Sequence, residues 1–345
     1  MYDTIVIGAG QAGISIGYYL KQTGQRFLIL DKSHEVGESW KDRYDSLVLF
    51  TSRMYSSLPG MHLEGEKHGF PSKNEIVAYL KKYVEKFEIP IQLRTEVISV
   101  LKSKNHFLIK TNREEYQAKN LVIATGPFHT PHIPSISKDL DSNIHQLHSS
   151  QYKNSKQLVH GNVLVVGGGN SGAQIAVELS KERLTYLACS NKPVYFPLMI
   201  GNRSIFWWFD KLGVLHASHT SILGKFIQKK GDPIFGHELK HAIKQREVIL
   251  KTRVIGGKEN EIVFNDASSL EVNNIIWATG FRNPLSWIKI KGVLNKENRI
   301  IHHRGVSPIE GLYFIGLPWQ HRRGSALLQG VGNDAEYIVK QMNGE

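Results

Sequence analysis

The sequence is almost free of cysteine, since Cys189 is the single one among 345 residues. One thiol can form neither an intramolecular disulfide nor a CxxC redox pair, and it is too few for a multi-thiolate metal site. A dithiol mechanism of the thioredoxin-reductase type is therefore excluded. We also predict no bound metal.

Long apolar runs are missing as well. No segment approaches the roughly 20 consecutive apolar residues that span a bilayer. The first apolar strand begins near Asp3, so we expect no secretory signal ahead of it. We therefore expect a cytoplasmic protein that has no membrane partner.

A concentrated basic surface is also missing, although 43 Lys and Arg against 31 Asp and Glu give a net charge of +12. The basic residues are scattered along the chain, without the arm or stripe that indicates nucleic-acid binding. We predict a small-molecule substrate and no nucleic-acid partner, and the sequence leaves a homodimer open.

What the sequence does contain is one plan used twice. The segments 3–13 and 162–172 each predict a strand, a glycine-rich turn and a helix. Each is followed by an apolar strand that ends in Ala-Thr-Gly, with Gly126 lying 118 residues after Gly8 and Gly280 lying 113 residues after Gly167. This repeat predicts an α/β fold with two Rossmann-like dinucleotide-binding domains built on parallel sheets.

The segments between these motifs predict the domain organisation. Alternating apolar residues in 96–101 and 107–111 predict an antiparallel meander inserted in the first sheet. Three prolines within 127–134 predict a crossing between domains. No third glycine motif follows Phe281, so the chain is predicted to return to the first domain. We predict a discontinuous first domain, 1–157 with 285–345, and a second domain, 158–284.

The first glycine motif has the context of a dinucleotide site. Gly8, Gly10 and Gly13 would let the backbone approach a pyrophosphate at the helix N-terminus. Asp31 ends the next strand eighteen residues after Gly13, where a carboxylate can accept hydrogen bonds from both ribose hydroxyls. A turn that needs glycine only for packing would not explain this carboxylate.

The second glycine motif lacks that carboxylate. Eighteen residues beyond Gly172 stand Ser190, Asn191 and Lys192, so nothing repels a 2′-phosphate and NADP is tolerated. Lys192 is either a weak phosphate ligand or a solvated loop lysine. Two dinucleotide sites in one chain imply electron transfer from a free nicotinamide coenzyme to a tightly held flavin.

Several further motifs give the chain a family resemblance. It resembles bacterial single-component flavin-containing monooxygenases nearly from end to end, and most closely their short, CzcO-like branch. The motifs are GAGQAG (8–13), GESW (37–40), LVLFTS (47–52), YSSLPG (55–60), FPS (70–72), HSSQY (148–152), GGGNSG (167–172), ATGF (278–281) and the glycine-rich run 324–332.

The resemblance implies FAD in the first domain and NADPH or NADH in the second. It further implies that reduced flavin and oxygen form a C4a-hydroperoxide, which oxygenates a soft nucleophile such as a sulfide or an amine. Trp40 and Ser52 are the implied catalytic residues. The implied FAD-binding residues are Gly8, Gly10, Gln11, Gly13, Asp31, Lys32, Trp40, Val97, Ala124, Thr125, Gly126, Gly316 and Leu328. Those for NAD(P)H are Gly167, Gly169, Asn170, Ser171, Gly172, Ser190, Asn191, Lys192, Thr279 and Gly280.

Departures from the family pattern refine these expectations. Ser52 stands where eukaryotic-type members have an asparagine, which predicts partial loss of reducing power to hydrogen peroxide. Tyr152 stands where relatives that oxygenate ketones have tryptophan, which favours heteroatom oxygenation. Ser190 and Asn191 stand where arginine often holds the 2′-phosphate, which predicts a weak preference between the coenzymes.

Other interpretations stay open at this point. His237 and His241 form an HExxH pattern, but with no clear third ligand a solvated helix face is the better interpretation. The aromatic stretch 204–209 is either packing between domains or a lid over the substrate. The alternative functions are reduction of a low-molecular-weight disulfide, although no cysteine replaces Gln11 or Ala12, and a flavin redox sensor without turnover.

Overall fold

Two parallel sheets, one for each glycine motif, organise the chain. The structure is a computed structural model that describes residues 1–345. The strands are β1 (Tyr2–Ile7), β2 (Phe27–Leu30), β3 (Ile91–Gln92), β4 (Val97–Ser103), β5 (His106–Thr111), β6 (Glu115–Ile123), β7 (Thr130–Pro131), β8 (His145–His148), β9 (Val163–Val166), β10 (Thr185–Ala188), β11 (Tyr195–Phe196), β12 (Met199–Ile200), β13 (Arg203–Ser204), β14 (Ile234–Phe235), β15 (Val248–Lys251), β16 (Val254–Lys258), β17 (Glu261–Phe264), β18 (Ser269–Glu271), β19 (Asn274–Trp277), β20 (Phe281–Arg282) and β21 (Leu312–Phe314).

Eight α-helices accompany the strands. They are α1 (Gln11–Thr23), α2 (Glu38–Lys41), α3 (Lys73–Lys86), α4 (Asn170–Leu179), α5 (Ile205–Lys211), α6 (Ile222–Lys230), α7 (Glu238–Lys244) and α8 (Leu328–Met342). None of them combines the length and the apolar character needed to cross a membrane. The helices α1 and α4 begin directly after Gly10 and Gly169, as the two glycine motifs predict.

The first sheet has the order β3-β2-β1-β6-β5-β4, and β21 also pairs with β6. The strand β6 is long enough to share one edge between two partners: Glu115–Ala118 pair antiparallel with β5, and Leu121–Ile123 pair parallel with β21. The second sheet, β15-β10-β9-β19-β8, is parallel throughout. The predicted fold class, two Rossmann-like domains with an inserted antiparallel meander, is confirmed.

Pairing across the two crossings bears on the domain boundaries. The strand β8 precedes residue 158, yet it pairs with β19 in the second sheet. The two connecting segments lie side by side, because β7 pairs antiparallel with β20. The boundaries 157/158 and 284/285 stay a prediction, and from the pairing we propose that the first crossing lies between residues 131 and 145.

Each sheet has an apolar core on both faces. In the first domain, α1, α3 and α8 cover one face of the sheet, and the meander with residues 285–300 covers the other. In the second domain, α4 and α7 pack on one face and the small sheet β16–β18 on the other. Residues 44–47 of the first domain join the core around α4. The two domains therefore share a packed contact.

Candidate functional site

A cavity of about 400 Å³ lies at the carboxyl ends of β1, β2 and β6 and beside the start of α1. In open parallel sheets, ligands bind at this edge. The cavity wall includes most of the residues predicted to bind FAD. These are Gly8, Gly10, Gln11, Asp31, Lys32, Val97, Ala124, Thr125, Gly126 and Gly316.

The three glycines of the first turn have two different reasons to be glycine. Gly8 has a φ of +108°, and a Cβ on Gly13 would lie 1.9 Å from the Gly8 carbonyl oxygen, so packing excludes side chains at both. A Cβ on Gly10 would meet no atom within 4 Å. The missing side chain of Gly10 therefore leaves space at the positive end of a helix, where an anion is stabilised.

The carboxylate of Asp31 lies in the same cavity. Its Oδ2 accepts a hydrogen bond from the backbone N–H of Ala9, and its Oδ1 accepts one from the N–H of Ser33 at 2.7 Å. Each carboxylate oxygen has a further lone pair. Asp31 can therefore hold the glycine turn in place and still accept hydrogen bonds from a ribose.

His129 also lines the cavity, and the sequence motifs did not assign it to the cofactor. Its Nε2 is buried without a hydrogen-bond partner. Burial, followed by the nearby charge of Lys32, lowers the pKa of this histidine. The only signal in the sequence is the position of His129 within the proline-rich crossing.

Three predicted FAD residues lie outside the cavity wall. Gly13 lies beneath the turn. Leu328 is buried in the core at the start of α8. The Nε1 of Trp40 donates to Oε1 of Gln11 at 3.3 Å, and Nε2 of Gln11 donates to the carbonyl of Ala326 at 3.2 Å. Trp40 thus supports a wall residue from behind.

Ser52 lies apart from the cavity. Its side chain is fully buried, and its Oγ donates a hydrogen bond to Oγ of Ser204, 3.0 Å away in the second half of the chain. The structure therefore does not bring the two predicted catalytic residues into one wall. The catalytic roles of Ser52 and Trp40 stay predictions.

The second glycine turn repeats the geometry of the first. Gly167 has a φ of +121°, and a Cβ on Gly172 would lie 2.0 Å from the Gly167 carbonyl oxygen. A Cβ on Gly169 would meet no atom within 4 Å. The second turn thus also combines two glycines required by packing with one that leaves space at a helix N-terminus.

The other residues predicted to bind NAD(P)H differ in whether their side chains are hydrogen-bonded within the protein or exposed. The side chain of Asn170 donates to the carbonyl of Pro233 and accepts from the N–H of Phe235, both at 3.0 Å, so it holds β14 to α4. Ser171 lies in the first turn of α4. Ser190, Asn191 and Lys192 are exposed after β10, which leaves the lysine free to approach a phosphate.

A cluster of an arginine and two phenylalanines joins the two crossings. The guanidinium of Arg43 lies 4.7 Å from the ring centre of Phe128 and 5.3 Å from that of Phe281. Phe128 lines the first cavity, and Phe281 directly follows Gly280. Burial lowers the pKa of Arg43. Sequence motifs missed this cation, because its neighbours are far away along the chain.

His148 belongs to the same cluster and is held in one orientation. Its Nε2 donates to the carbonyl of Gly280 at 2.9 Å, and its Nδ1 accepts from the N–H of Ser150 at 3.1 Å. Burial lowers the pKa of His148, and the charge of Arg43 lowers it further. The hydroxyl of Thr279 donates to the carbonyl of His132. The neutral imidazole therefore fixes the Ala-Thr-Gly end of β19 beside the crossing.

Comparison with known proteins identifies the family. Residues 5–191 match the family model described as pyridine nucleotide-disulphide oxidoreductase. The chain is 90% identical to the oxidoreductase CzcO of Bacillus subtilis (strain 168) over 100% of both chains. The chain belongs to this oxidoreductase family, in its CzcO-like branch. It is also 52% identical to a CzcO-like oxidoreductase of Geobacillus kaustophilus, over 99% of this chain and 98% of the other. The predicted resemblance to the CzcO-like branch is confirmed.

More distant relatives include named monooxygenases. The chain is 27% identical to the probable indole-3-pyruvate monooxygenase YUCCA1 of Arabidopsis thaliana, over 99% of this chain and 90% of the other. A flavin-containing monooxygenase from Stenotrophomonas maltophilia has the same fold, with a TM-score of 0.83, 24% identity, and coverage of 99% and 98%.

Two further solved structures share the fold at lower similarity. The bacillithiol disulfide reductase Bdr (YpdA) from Staphylococcus aureus has a TM-score of 0.72 and 17% identity, with coverage of 99% and 98%. The OTEMO complex with FAD and NADP has a TM-score of 0.73 and 17% identity, with coverage of 99% and 85%. The fold therefore occurs with both oxygenase and reductase names.

Proposed function

We propose that this oxidoreductase is an FAD-dependent monooxygenase, driven by NADPH or NADH, that transfers one oxygen atom to a sulfide or an amine. The observation that carries the proposal is the pair of turns in which Gly10 and Gly169 leave open space at helix N-termini. Two such anion sites support one resident dinucleotide and one exchangeable dinucleotide. The monooxygenase names among the relatives support oxygen transfer.

The first cavity fits the adenosine and pyrophosphate parts of FAD. The N–H groups at the start of α1 would face the pyrophosphate, and the free lone pairs of the Asp31 carboxylate would accept hydrogen bonds from the ribose hydroxyls. The solved complex named with FAD and NADP supports the same pair of cofactors on this fold.

The second turn fits the pyrophosphate of the nicotinamide coenzyme. Arg43, whose guanidinium lies against the rings of both Phe128 and Phe281, would supply positive charge near the two sites. Lys192 is the one exposed cation in the loop after β10. We therefore propose NADPH or NADH as the electron donor, with weak discrimination between them.

When bound and reduced, FAD would supply the oxygen-activating chemistry. The protein's own residues hold the site and exclude water. Trp40 and Gln11 brace the end of the cavity near Ala326. The hydroxyl proton of Ser52 is already donated to Ser204. Because Ser52 has no second proton to offer, we propose that part of the turnover releases hydrogen peroxide.

A second cavity, of about 390 Å³, is the candidate for substrate binding. It lies between residues 46–50 and the helices α4 and α7, with an apolar wall that includes Phe50, Leu198 and Phe235. Glu178 and Glu238 also line it. Phe50 stands two residues before Ser52. Lys181 lines it too, so a mainly apolar wall with charges of both signs suits a lipophilic substrate.

The single cysteine argues against disulfide reduction. Cys189 is buried behind the second turn, where its Sγ would lie 2.6 Å from a Cβ on Gly168. Burial raises the pKa of its thiol to about 11. A protonated, buried thiol is a poor nucleophile, and no second cysteine could resolve a mixed disulfide. The chain therefore shares the fold of the disulfide reductase without the reactive thiols that disulfide reduction would use.

The proposal is tested by spectroscopy of the purified protein. We expect one FAD per chain, bleaching of the flavin by NADPH or NADH, and, on mixing with oxygen, a transient that absorbs to the blue of oxidised flavin. Methyl phenyl sulfide or a lipophilic tertiary amine should shorten the transient and gain one oxygen atom. Added chelator should change nothing, since no group of three or more His, Cys, Asp and Glu side chains is placed to hold a metal.

Two outcomes would replace the oxygenase by another function. Direct return to oxidised FAD with stoichiometric hydrogen peroxide and no oxygenated product indicates an oxidase or reductase. A flavin that coenzyme reduces but that consumes no oxygen above the buffer rate indicates a redox sensor. A colourless protein after FAD reconstitution contradicts the proposal altogether.

A further inference from the structure

The helix α6 exposes an apolar face that no part of the chain covers. Ile222 is 92% exposed, Phe226 is 57% exposed and Leu223 is 42% exposed. Ile222 and Phe226 are four residues apart and therefore lie on the same face of the helix. Isolated exposed apolar residues are ordinary, but three on one nine-residue helix form a patch that suggests an interaction surface.

Contacts on the opposite side of α6 hold the helix so that its apolar face points to solvent. Gly224 is buried, and a Cβ there would lie 1.8 Å from the carbonyl oxygen of Ser218. The hydroxyl of Ser221 caps the helix by accepting from the N–H of Gly224 at 3.0 Å. The helix thus lies against the 218–221 turn and cannot rotate to bury Ile222 and Phe226.

Lysines surround the exposed apolar face. Lys225, Lys229 and Lys230 are exposed and form no ion pair, and Nζ of Lys230 lies 5.5 Å from the ring centre of Phe226. The wider segment 199–231 contains five Lys and Arg residues and one acidic residue, Asp210. Asp210 accepts hydrogen bonds from Tyr55 and His216, which occupy its two oxygens.

We propose that α6 docks this protein on the surface of an anionic lipid bilayer. An apolar centre flanked by lysines is the arrangement by which a helix lies in the interface, with its apolar side chains among the acyl chains and its cations among the headgroups. The lysines attract anionic lipid, and the attraction is screened by salt. This surface revises our expectation of no membrane partner without requiring a spanning helix.

Two other occupants fit the same face less well. A second copy of the chain related by a two-fold axis would bring the three lysines of one α6 close to the three of the other, and like charges oppose such pairing. A nucleic acid would contact the lysines, but Ile222 and Phe226 would face its phosphates without apolar partners.

The test is flotation of the full-length holoprotein with phosphatidylcholine vesicles and with vesicles that also contain phosphatidylglycerol. We expect binding only to the vesicles with phosphatidylglycerol, and a decrease as salt is added. Phe226→Ser should weaken binding roughly tenfold or more, because it removes a large apolar side chain from the lipid. Lys225→Glu with Lys229→Glu should also weaken it at least tenfold, since each cation near an anionic bilayer contributes roughly fivefold.

Matched control variants distinguish binding through α6 from nonspecific hydrophobic adsorption and from an effect of net charge. Ile255→Ser removes another apolar residue that is 59% exposed, on β16. Lys138→Glu with Lys156→Glu makes the same charge change at exposed positions away from α6. Both controls should bind vesicles as the wild type does.

Three results would overturn the proposal. The first is no binding of the wild type to phosphatidylglycerol vesicles. The second is binding that the α6 variants leave unchanged. The third is a concentration-dependent dimer in sedimentation velocity that Phe226→Ser abolishes while vesicles remain unbound. None of these readouts depends on turnover, so the proposal and the monooxygenase assignment can fail separately.

Discussion

At the residue scale, the three glycines of each turn do different work. A Cβ on either outer glycine of the first turn, Gly8 or Gly13, would clash with a backbone oxygen, so packing requires glycine at both positions. The middle glycine, Gly10, faces open space and has an extended backbone that any residue can adopt. Its conformation and packing therefore do not require glycine, and we propose that space for the pyrophosphate does.

This difference predicts contrasting effects of two substitutions. Gly13→Ala places a methyl group 1.9 Å from the Gly8 oxygen, so the protein should lose FAD and also lose stability. Gly10→Ala meets no protein atom, so the apoprotein should keep its wild-type Tm and fail to retain FAD. Measurement of bound flavin and of apoprotein Tm checks both. If Gly10→Ala retains FAD fully, the open space is not the pyrophosphate site.

A second prediction at this scale concerns the choice of coenzyme. One exposed lysine, Lys192, contributes about 1 kcal/mol to holding a 2′-phosphate, so NADPH should exceed NADH by less than about tenfold in kcat/KM. Lys192→Ala should remove most of that margin. Asn191→Arg should widen it, because a guanidinium fork matches phosphate geometry.

Rates of flavin reduction with both coenzymes give the answer. Lys138→Ala, at an exposed site in the crossing between the domains, serves as the control. A preference of the wild type of about a hundredfold in either direction would contradict this prediction, since contacts outside the loop would then set the choice.

At the element scale, short-range sequence signals account for the helices that flank the cavities. The helix α3 begins with a capping box. Oγ of Ser72 accepts from the N–H of Glu75 at 3.4 Å, and Oε2 of Glu75 accepts from the N–H of Ser72 at 2.9 Å. The buried side chains Ile76, Tyr79 and Tyr83 then recur at helical spacing along one face. The helix therefore spans Lys73–Lys86, with Ser72 and Phe87 as its caps.

Loss of the cap should have a measurable cost. Ser72→Ala is expected to lower the free energy of unfolding by about 1 kcal/mol. The N–H of Glu75 loses its side-chain acceptor, and the reciprocal capping box is broken. Urea unfolding of the flavin-loaded protein measures this change. Ser142→Ala, at an exposed serine whose hydroxyl has one long bond of 3.5 Å to Asp141, should have little effect. Equal effects of the two substitutions would show that the capping box contributes nothing specific.

At the scale of the whole molecule, several partly buried histidines link stability to pH. Burial lowers the pKa of His129, His148, His302 and His321. The unfolded chain takes up protons at the ordinary histidine pKa of about 6.5, whereas the folded chain takes them up only at lower pH. The contribution of these histidines to stability is therefore fully present above about pH 6.5 and is lost as the pH falls below that value.

The substitution His148→Gln should reduce this acid sensitivity. We expect the free energy of unfolding to fall less steeply between about pH 7 and pH 5, by a fraction of the ~1.4 kcal/mol per pH unit that one whole proton gives. Denaturant unfolding across this range, in one cofactor state, provides the measurement. His160→Gln, at an exposed histidine, should keep the wild-type slope. A steeper slope in His148→Gln would reverse the sign of our argument.

The sequence by itself determined the features that depend on neighbouring residues. Both strand-turn-helix units, the antiparallel meander, the cap of α3 and the glycine turn with Asp31 in the cavity wall follow from glycine spacing, alternation and capping within short segments. These signals are local because backbone conformation and hydrogen bonding within a turn involve residues close along the chain.

Only the tertiary structure decided which distant side chains meet. Ser52 donates to Ser204 across 152 residues, and Arg43 lies against the rings of both Phe128 and Phe281. No periodicity links such residues, because the packing of two domains brings them together. The same is true of α6, whose amphipathic sequence suits a buried face or an exposed one. The close contact of Gly224 with Ser218 turns Ile222 and Phe226 outward.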